Sequence, residues 1–222
     1  MTLVQTKPKR RTESKEVRRR QLIDATIASI AELGMSDTTL SSVAKRAGVG
    51  HGTVNLHFPS KANLLEETLR FLAEEHYRLW SGDMKSSTGS AKNQLEALIN
   101  VDFNSEVCSQ QKLAVWFTFW GHAKFRPFYL DVCNLFDEER SDVIAVLCRK
   151  LNQEGGYAIA DTDAVARRLE SLIDGLWLSM LLYPERYSRE TAHTDAFDHL
   201  AEVFPKHFCH SNQSINKEKS GA

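Results

Sequence analysis

The chain has 222 residues, with 28 lysines and arginines against 29 aspartates and glutamates, and 42% of its residues are hydrophobic. This composition fits a globular protein with one sizeable core or two modest ones, and it excludes disorder along the whole chain. Apolar runs reach about eight residues, against the roughly 20 of a membrane-spanning helix, and the charged N-terminus lacks the apolar stretch of a signal peptide, so we expect a cytoplasmic protein.

The near-neutral total conceals a division of charge along the chain. Residues 1–61 carry a formal charge of +6, and the remaining residues carry −7. Such an asymmetry suggests contact with nucleic acid or with a membrane surface. Charge alone does not choose between these partners, and a solvated basic tail would give the same count.

The N-terminal part of the chain begins with a polar, lysine-rich segment. We expect residues 1–15 to form a disordered basic arm, followed by an amphipathic helix whose apolar positions lie between residues 22 and 33. Gly34 supplies a stop for this helix. Side-chain oxygens in residues 36–39 can cap a second, short helix that ends near Ala47.

Glycines at 48 and 50 predict a tight connection to a third short helix over residues 51–58, which Pro59 closes. Ser60 caps a fourth helix that runs from Lys61 to about Trp80. The Ser- and Gly-rich stretch 81–90 predicts a loop.

Helical periodicity then continues to residue 208, and no segment has a convincing strand pattern. The predicted helices cover residues 91–104, 108–124, 127 to about 152, 162–183 and 189–208. Pro127 suits a first helical turn, Asp161 can cap the helix that follows it, and Pro184 follows the end of that helix. The fold class is therefore all-α, and residues 209–222 are expected to form a disordered tail.

The second and third helices, with the glycine-containing turn between them, fit a helix-turn-helix at about residues 39–58. A helix that enters the DNA major groove is short, with one face packed on the preceding helix and an exposed polar face. Val54 and Phe58, four residues apart, suit the buried face. The outward positions are then His51, Gly52, Thr53, Asn55 and His57, and none of them is acidic.

Residues 31–61, AELGMSDTTLSSVAKRAGVGHGTVNLHFPSK, closely resemble the DNA-binding domain of TetR-family repressors, and RRRQLIDAT at residues 18–26 extends the match. The resemblance implies a DNA-binding domain over residues 16–76, in which His51 and Asn55 read base edges. It places these further residues on the DNA face: Thr39, Lys45, Arg46, Thr53, His57 and Lys61. Gly50 and Asn55 depart from the family pattern, where serine and tyrosine are usual, and glycine remains an acceptable helix cap.

The remainder of the chain contains three stretches that are similar to the C-terminal domain of the BetI-type branch of this family. These stretches are FN at 103–104, AVWFTFWGHAKFRPFY at 114–129 and LIDGLWLSMLL at 172–182. Members of that branch repress the genes for the conversion of choline to glycine betaine, and these repressors respond to choline. The resemblance therefore implies a sensor and dimer domain over residues 77–208.

A site for a quaternary ammonium needs aromatic faces and a carboxylate, because such a cation has no N–H to donate. Trp116 and Trp120 lie four residues apart on one helical face, and Trp177 follows Asp174 by three residues. The candidate ligand site is a cage of these three tryptophans with Asp174 or Asp102 as the counter-charge. The same aromatic spacing also suits an ordinary core, and Trp177 would also suit a dimer interface.

A homodimer is expected because two-fold proteins read palindromes, with half-sites about 34–36 Å apart. The helices predicted at 162–183 and 189–208 are apolar enough to pack as a four-helix interface between subunits. The predicted function is a repressor that binds palindromic operator DNA and is released when choline or a related cation favours another dimer geometry. The alternative within this class is a multidrug-type regulator that senses another lipophilic cation.

Other classes fit the sequence less well. The motifs of nucleophile-elbow hydrolases, P-loop proteins, zinc peptidases and dinucleotide-binding enzymes are not found, so neither an enzyme nor a cofactor is predicted. The cysteines form no CxxC pair, and His207, Cys209 and His210 have no fourth ligand nearby in sequence, so no metal site is predicted. Membrane-surface binding through the basic stretch from Lys7 to Arg20 is disfavoured, because that stretch has no large apolar residue to insert.

Overall fold

The computed structural model describes residues 14–87, 89–122 and 127–210, and over these ranges it consists of helices and turns without a strand. The helices in chain order are α1 (Lys15–Asp37), α2 (Leu40–Arg46), α3 (His51–His57), α4 (Lys61–Ser86), α5 (Ala91–Asp102), α6 (Gln110–His122), α7 (Pro127–Gly155), α8 (Thr162–Leu182) and α9 (Arg189–Val203). The predicted all-α class is confirmed. Most of the predicted basic arm and of the predicted C-terminal tail lies outside the described residues.

The described residues form two compact units, and the division between them falls after Leu65, inside α4. In the first unit, α1 buries Leu22, Ile27 and Ile30. As predicted, Gly34 interrupts the helical conformation of α1, and a kink at that glycine separates the first part of the helix from a short last turn that ends at Asp37. The kink has φ = 78°, a left-handed conformation that glycine adopts without a steric cost.

The turn between α2 and α3 follows the predicted chemistry. Thr39 caps α2 in a reciprocal capping box, in which its hydroxyl accepts from Ser42 N at 3.0 Å and the Ser42 hydroxyl accepts from Thr39 N at 2.9 Å. Gly48 has φ = 65°, which makes the turn after α2 possible. Gly50 is the N-cap of α3 and provides no side-chain hydrogen bond.

Helix α4 begins where it was predicted, with the Ser60 hydroxyl accepting from Asn63 N at 3.1 Å. It then extends to Ser86, so the loop predicted over residues 81–90 is wrong for its first six residues. Trp80 and Ser81 are buried, and the Trp80 ring packs edge-on against Tyr77 at 5.2 Å. Tertiary packing of this last part of α4 therefore outweighs the weak helix propensity of serine and glycine.

In the second unit, α7 packs against α5 and α8, and α8 also packs against α6 and α9. Asp161 caps α8 as predicted, with its carboxylate accepting from Ala164 N at 2.7 Å. Helix α9 ends at Val203, five residues before its predicted end. The residue before a proline avoids the helical conformation, so Pro205 keeps Phe204 out of the helix as its C-cap, although the buried Phe204 ring continues the apolar pattern. Among the described helices, none is both long and apolar enough to cross a membrane.

Candidate functional site

Helix α1 holds α3 and the turn before it in place. The Gln21 side-chain amide donates to the Ala47 carbonyl oxygen at 2.8 Å, at the start of the turn between α2 and α3. The Arg19 guanidinium lies 4.8 Å from the centre of the Phe58 ring, at the end of α3, within the range of a cation–π contact. These contacts fix the orientation of α3 in the first unit.

The two adjacent basic residues of α2 differ in their surroundings. Arg46 Nε donates to the Ser29 hydroxyl at 3.0 Å, and the Arg46 guanidinium forms an ion pair with Glu32 on α1. Lys45 is exposed, and its side-chain ammonium makes no hydrogen bond or ion pair with the described residues. Lys45 is therefore available to an external anion, whereas Arg46 is already partnered.

Helix α3 presents one buried side and one exposed side. Val54 and Phe58 have no solvent-exposed surface, as the predicted packing requires. Of the five predicted outward residues, His51, Gly52 and Asn55 are exposed, and Thr53 and His57 are half-buried. Leu56 is 80% exposed and was not among the predicted outward residues.

The region around His57 is electropositive. Burial lowers the pKa of His57 below its ordinary value, and the nearby charges of Lys15, Arg19 and Arg18 lower it further. The same charges from α1 create a positive potential at the end of α3 that favours an anionic partner.

The remaining predicted DNA-face residues lie at helix starts. Thr39 is the exposed cap of α2, and its hydroxyl is used in the capping box. Lys61, in the first turn of α4, donates from Nζ to the Ser36 carbonyl oxygen at 2.8 Å. All nine predicted residues thus lie in the first unit, on α2, α3 and the helix starts beside them.

The second unit contains a cavity of about 440 Å³ lined by side chains from α4, α5, α6, α7 and α8. All five residues of the predicted ligand site line it, together with six that were not predicted. The predicted ones are Asp102, Trp116, Trp120, Asp174 and Trp177, and the others are His76, Asp137, Arg140, Ser141, Glu170 and Ile173.

The three tryptophans form a continuous aromatic wall of this cavity. The rings of Trp116 and Trp120 have centroids 6.3 Å apart and are tilted by 42°. The rings of Trp120 and Trp177 are also 6.3 Å apart, but they are nearly parallel, at 7°. Because Trp120 and Trp177 stack on each other, the wall differs from the predicted cage, in which the rings would surround a ligand.

The side chain and backbone of Asp102 are already bonded to other residues of the protein. It is 1% exposed, its Oδ1 lies 2.9 Å from Nε2 of His76, and its Oδ2 forms an ion pair with Arg140. The indole N–H of Trp177 donates to the backbone carbonyl oxygen of Asp102 at 2.9 Å. Asp102 therefore orients His76, Arg140 and Trp177, and both of its carboxylate oxygens are already hydrogen-bonded within the protein.

Glu170 is partnered in a similar way. Its Oε1 accepts from the Ser141 hydroxyl at 2.8 Å and from Arg140 Nη1 at 3.4 Å. Arg140 thus bridges Asp102 and Glu170 across the cavity wall. One guanidinium is shared between two carboxylates, so the cavity as a whole remains acidic.

Asp137 and Asp174 are the unpartnered acids of the cavity. Within the described part of the chain, neither carboxylate has a hydrogen bond or an ion pair. Both residues remain in contact with solvent, and partial loss of hydration is the largest cause that raises the pKa of Asp137 and raises the pKa of Asp174 to about 6. A cation in the cavity would stabilise the ionised form of both.

The sequence contained a pattern that indicates some of the cavity-lining residues that were not predicted. One face of α8 carries Glu170, Ile173, Asp174 and Trp177, and only the last two are among the predicted site residues. On α7, Asp137 and Arg140 share a face at a spacing of three, but nothing in that helix alone indicates which neighbour it faces. His76 becomes visible only when α4 is placed beside α5.

Comparisons with known proteins match both units. Residues 22–68 match the bacterial regulatory proteins of the tetR family, and residues 91–205 match the C-terminal domain of BetI-type transcriptional repressors. The HTH-type transcriptional regulator BetI of Escherichia coli O139:H28 is 32% identical over 188 residues, which cover 80% of this chain and 89% of that protein. The BetI protein of Shigella flexneri serotype 5b has the same identity and coverage.

Solved structures of transcriptional regulators share the fold. A regulator from Pseudomonas aeruginosa PAO1 is 27% identical, with a TM-score of 0.72 over 88% of this chain and 93% of that one. A regulator from Saccharomonospora viridis, solved in complex with choline, is 23% identical, with a TM-score of 0.73 over 83% of this chain and 95% of that one.

Proposed function

The chain belongs to the TetR family of bacterial transcriptional regulators, with a BetI-type C-terminal domain, and we propose from this premise that choline or a related quaternary ammonium controls its binding to DNA. It is a repressor by family and not an enzyme. In the proposed mechanism, a homodimer occupies a palindromic operator and blocks transcription. Binding of the cation favours a dimer geometry in which the two α3 helices no longer fit one face of the DNA. As a regulator of bacterial genes it would act in the cytoplasm.

The cavity in the second unit carries the proposal of a cationic effector. It combines an aromatic wall with two carboxylates, Asp137 and Asp174, that have no partner in the described protein. Aromatic faces attract a quaternary ammonium through the ring quadrupole, and the carboxylates supply the opposite charge. Asp102 serves in this proposal to position its neighbours.

The relatives support choline as the effector class. The family members that are 32% identical are BetI proteins, and the regulator from Saccharomonospora viridis binds choline within the same fold. Choline is smaller than the cavity, so a bulkier lipophilic cation remains the alternative ligand, as it would be in a multidrug-type regulator.

The DNA face proposed for this chain is the exposed side of α2 and α3. His51 and Asn55 would read base edges, and Lys45 would bind a phosphate, since it is exposed and unpartnered among the described residues. The other proposed phosphate or positioning residues are Thr39, Arg46, Gly52, Thr53, His57 and Lys61. The positive potential around His57 supports this face.

Helix α8 supports the proposed homodimer. Ser171, Gly175, Leu178 and Leu182 are all exposed, at spacings of four, three and four residues. This spacing forms a single stripe along the helix, with small residues at one end and leucines at the other. We infer that the stripe packs against the partner subunit, with α9 completing a four-helix interface.

A fluorescence titration tests the effector site. Choline should change tryptophan emission in the purified protein, and the neutral isostere 3,3-dimethylbutan-1-ol should change it much less, since it lacks the charge. Trp120→Ala should remove the response, whereas Trp80→Phe, outside the cavity, should retain it. An unchanged signal at millimolar choline would reject choline, and tighter binding of tetraphenylphosphonium than of choline would favour the multidrug alternative.

A further inference from the structure

We propose that Leu56 reads the C5-methyl group of a thymine in the major groove, so that each operator half-site has a thymine at one fixed position. The inference rests on the proposed function, because it requires α3 to enter DNA. It adds a specificity-determining residue to the DNA face described above.

Leu56 lies at the centre of the exposed side of α3. A helix rotates by about 100° per residue, so residues two positions before and after Val54 lie within about 20° of the direction opposite to it. Val54 has no exposed surface, so it marks the side of α3 that packs against the other helices of the first unit. Gly52 and Leu56 occupy the opposite side, four residues apart, with Asn55 and Thr53 on their flanks.

Gly52 lets this side of α3 approach a partner closely. A Cβ atom added at Gly52 would meet no atom within 4 Å, so packing within the protein does not require glycine there. Without a side chain at that position, Leu56 projects beyond the helix surface, and 80% of its surface is exposed. An isolated exposed leucine is ordinary on most helices, but this one occupies the position that faces most directly away from the core.

The chemistry of the major groove provides one apolar partner for such a side chain. Base edges in the major groove present hydrogen-bond donors and acceptors, and the thymine methyl group is the apolar group among them. A leucine can make no hydrogen bond, so its contribution to sequence choice is apolar contact with that methyl and exclusion of water from it.

The test uses duplexes that the full-length protein selects from a random pool. Thymines of the selected site are replaced one at a time by deoxyuridine, which differs only by the missing methyl. Loss of one methyl contact should weaken binding about fourfold in one half-site and about fifteenfold in both. The effect should occur at one thymine per half-site in the wild-type protein and in Leu135→Ala, an exposed-leucine control on α7. In Leu56→Ala, which should retain its helical circular dichroism, the same replacement should have no effect.

Two results would overturn the inference while leaving the proposed function intact. One is sequence-selective binding in which no thymine responds to deoxyuridine, and the other is a response of unchanged size in Leu56→Ala. If the selection enriches no duplex at all, the proposed function itself fails, and the role of Leu56 fails with it.

Discussion

The indole rings of Trp120 and Trp177 lie nearly parallel, at 7°, with their centroids 6.3 Å apart. A methyl carbon needs about 3.5–4.0 Å to each face it touches, so a trimethylammonium group between two rings requires more than about 7 Å. The cation therefore cannot lie between these two indoles. It would contact the outer surface of the wall, near Trp116 and Trp120, and face the carboxylates of α7 and α8.

Removing either free carboxylate should weaken effector binding. A charge about 4 Å from the cation contributes at least about 1 kcal/mol, so Asp174→Asn and Asp137→Asn should each raise the dissociation constant for choline about fivefold to tenfold. Asp142→Asn, an exposed substitution on α7 outside the cavity, is the matched control. Isothermal titration calorimetry measures all three, and equal affinities for the three variants would contradict the proposed roles.

Choline binding should depend on pH through Asp174. Partial loss of hydration beside the cavity raises the pKa of this exposed carboxyl to about 6; the charge of Arg140 opposes the shift, and those of Asp102, Glu170 and Asp137 assist it. The cation prefers the ionised form, so affinity should increase up to about tenfold from pH 5 to pH 7 and then level off. Asp174→Asn should flatten this profile, and a profile of the same shape in the variant would assign the titration to another group.

The same pKa shift predicts an effect on the protein without its effector. A carboxyl whose pKa is higher in the folded than in the unfolded state binds protons more tightly when folded, so its contribution to stability falls as the pH rises from about 4 to about 6. Asp174→Asn removes this loss. Its thermal unfolding midpoint should therefore exceed that of the wild type at pH 7 and approach it at pH 4.

The two basic residues of α2 should respond differently to substitution. Lys45→Gln should lower DNA affinity and reduce the slope of log affinity against log salt by about 0.9, as expected for one lost phosphate contact. Arg46→Gln should change that slope less and should lower the unfolding midpoint, because Arg46 is bonded to Ser29 and Glu32. Equal changes in slope for the two variants would contradict this distinction.

Chemistry local to the sequence could be predicted well. The capping roles of Asp161 and Ser60 follow from their side-chain oxygens, and the inward positions of Val54 and Phe58 follow from a spacing of four. The sequence also indicates the end of α9, since Pro205 restricts Phe204, but the apolar pattern that continues to Phe208 favours a longer helix.

The geometry between helices could not be predicted from the sequence. Spacing indicates that Trp116 and Trp120 share a face, but it contains no information on the ring planes, so the stack with Trp177 was missed. Asp102 and Asp174 were equivalent candidates because their partners lie on other helices. Only the three-dimensional contacts show that His76 and Arg140 are bonded to Asp102, whereas Asp174 has no such partner among the residues that the structure describes.

The α8 stripe makes a prediction about assembly. Leu182 is 56% exposed on the stripe, and Leu135 is 73% exposed on α7 outside it. Leu182→Glu should shift the protein from dimer to monomer in sedimentation velocity and remove high-affinity operator binding, because two half-sites must be held together. Leu135→Glu should remain dimeric. A dimeric Leu182→Glu protein would place the interface elsewhere.

The most direct measurement of the central claim is fluorescence anisotropy of a labelled, protein-selected duplex during titration with choline. Choline should release the wild-type protein from DNA, 3,3-dimethylbutan-1-ol should not, and the Trp120→Ala and Asp174→Asn variants should need higher choline concentrations for release. Binding to DNA that millimolar choline leaves unchanged, or release that the neutral isostere causes equally well, would contradict a repressor controlled by a cation in this cavity.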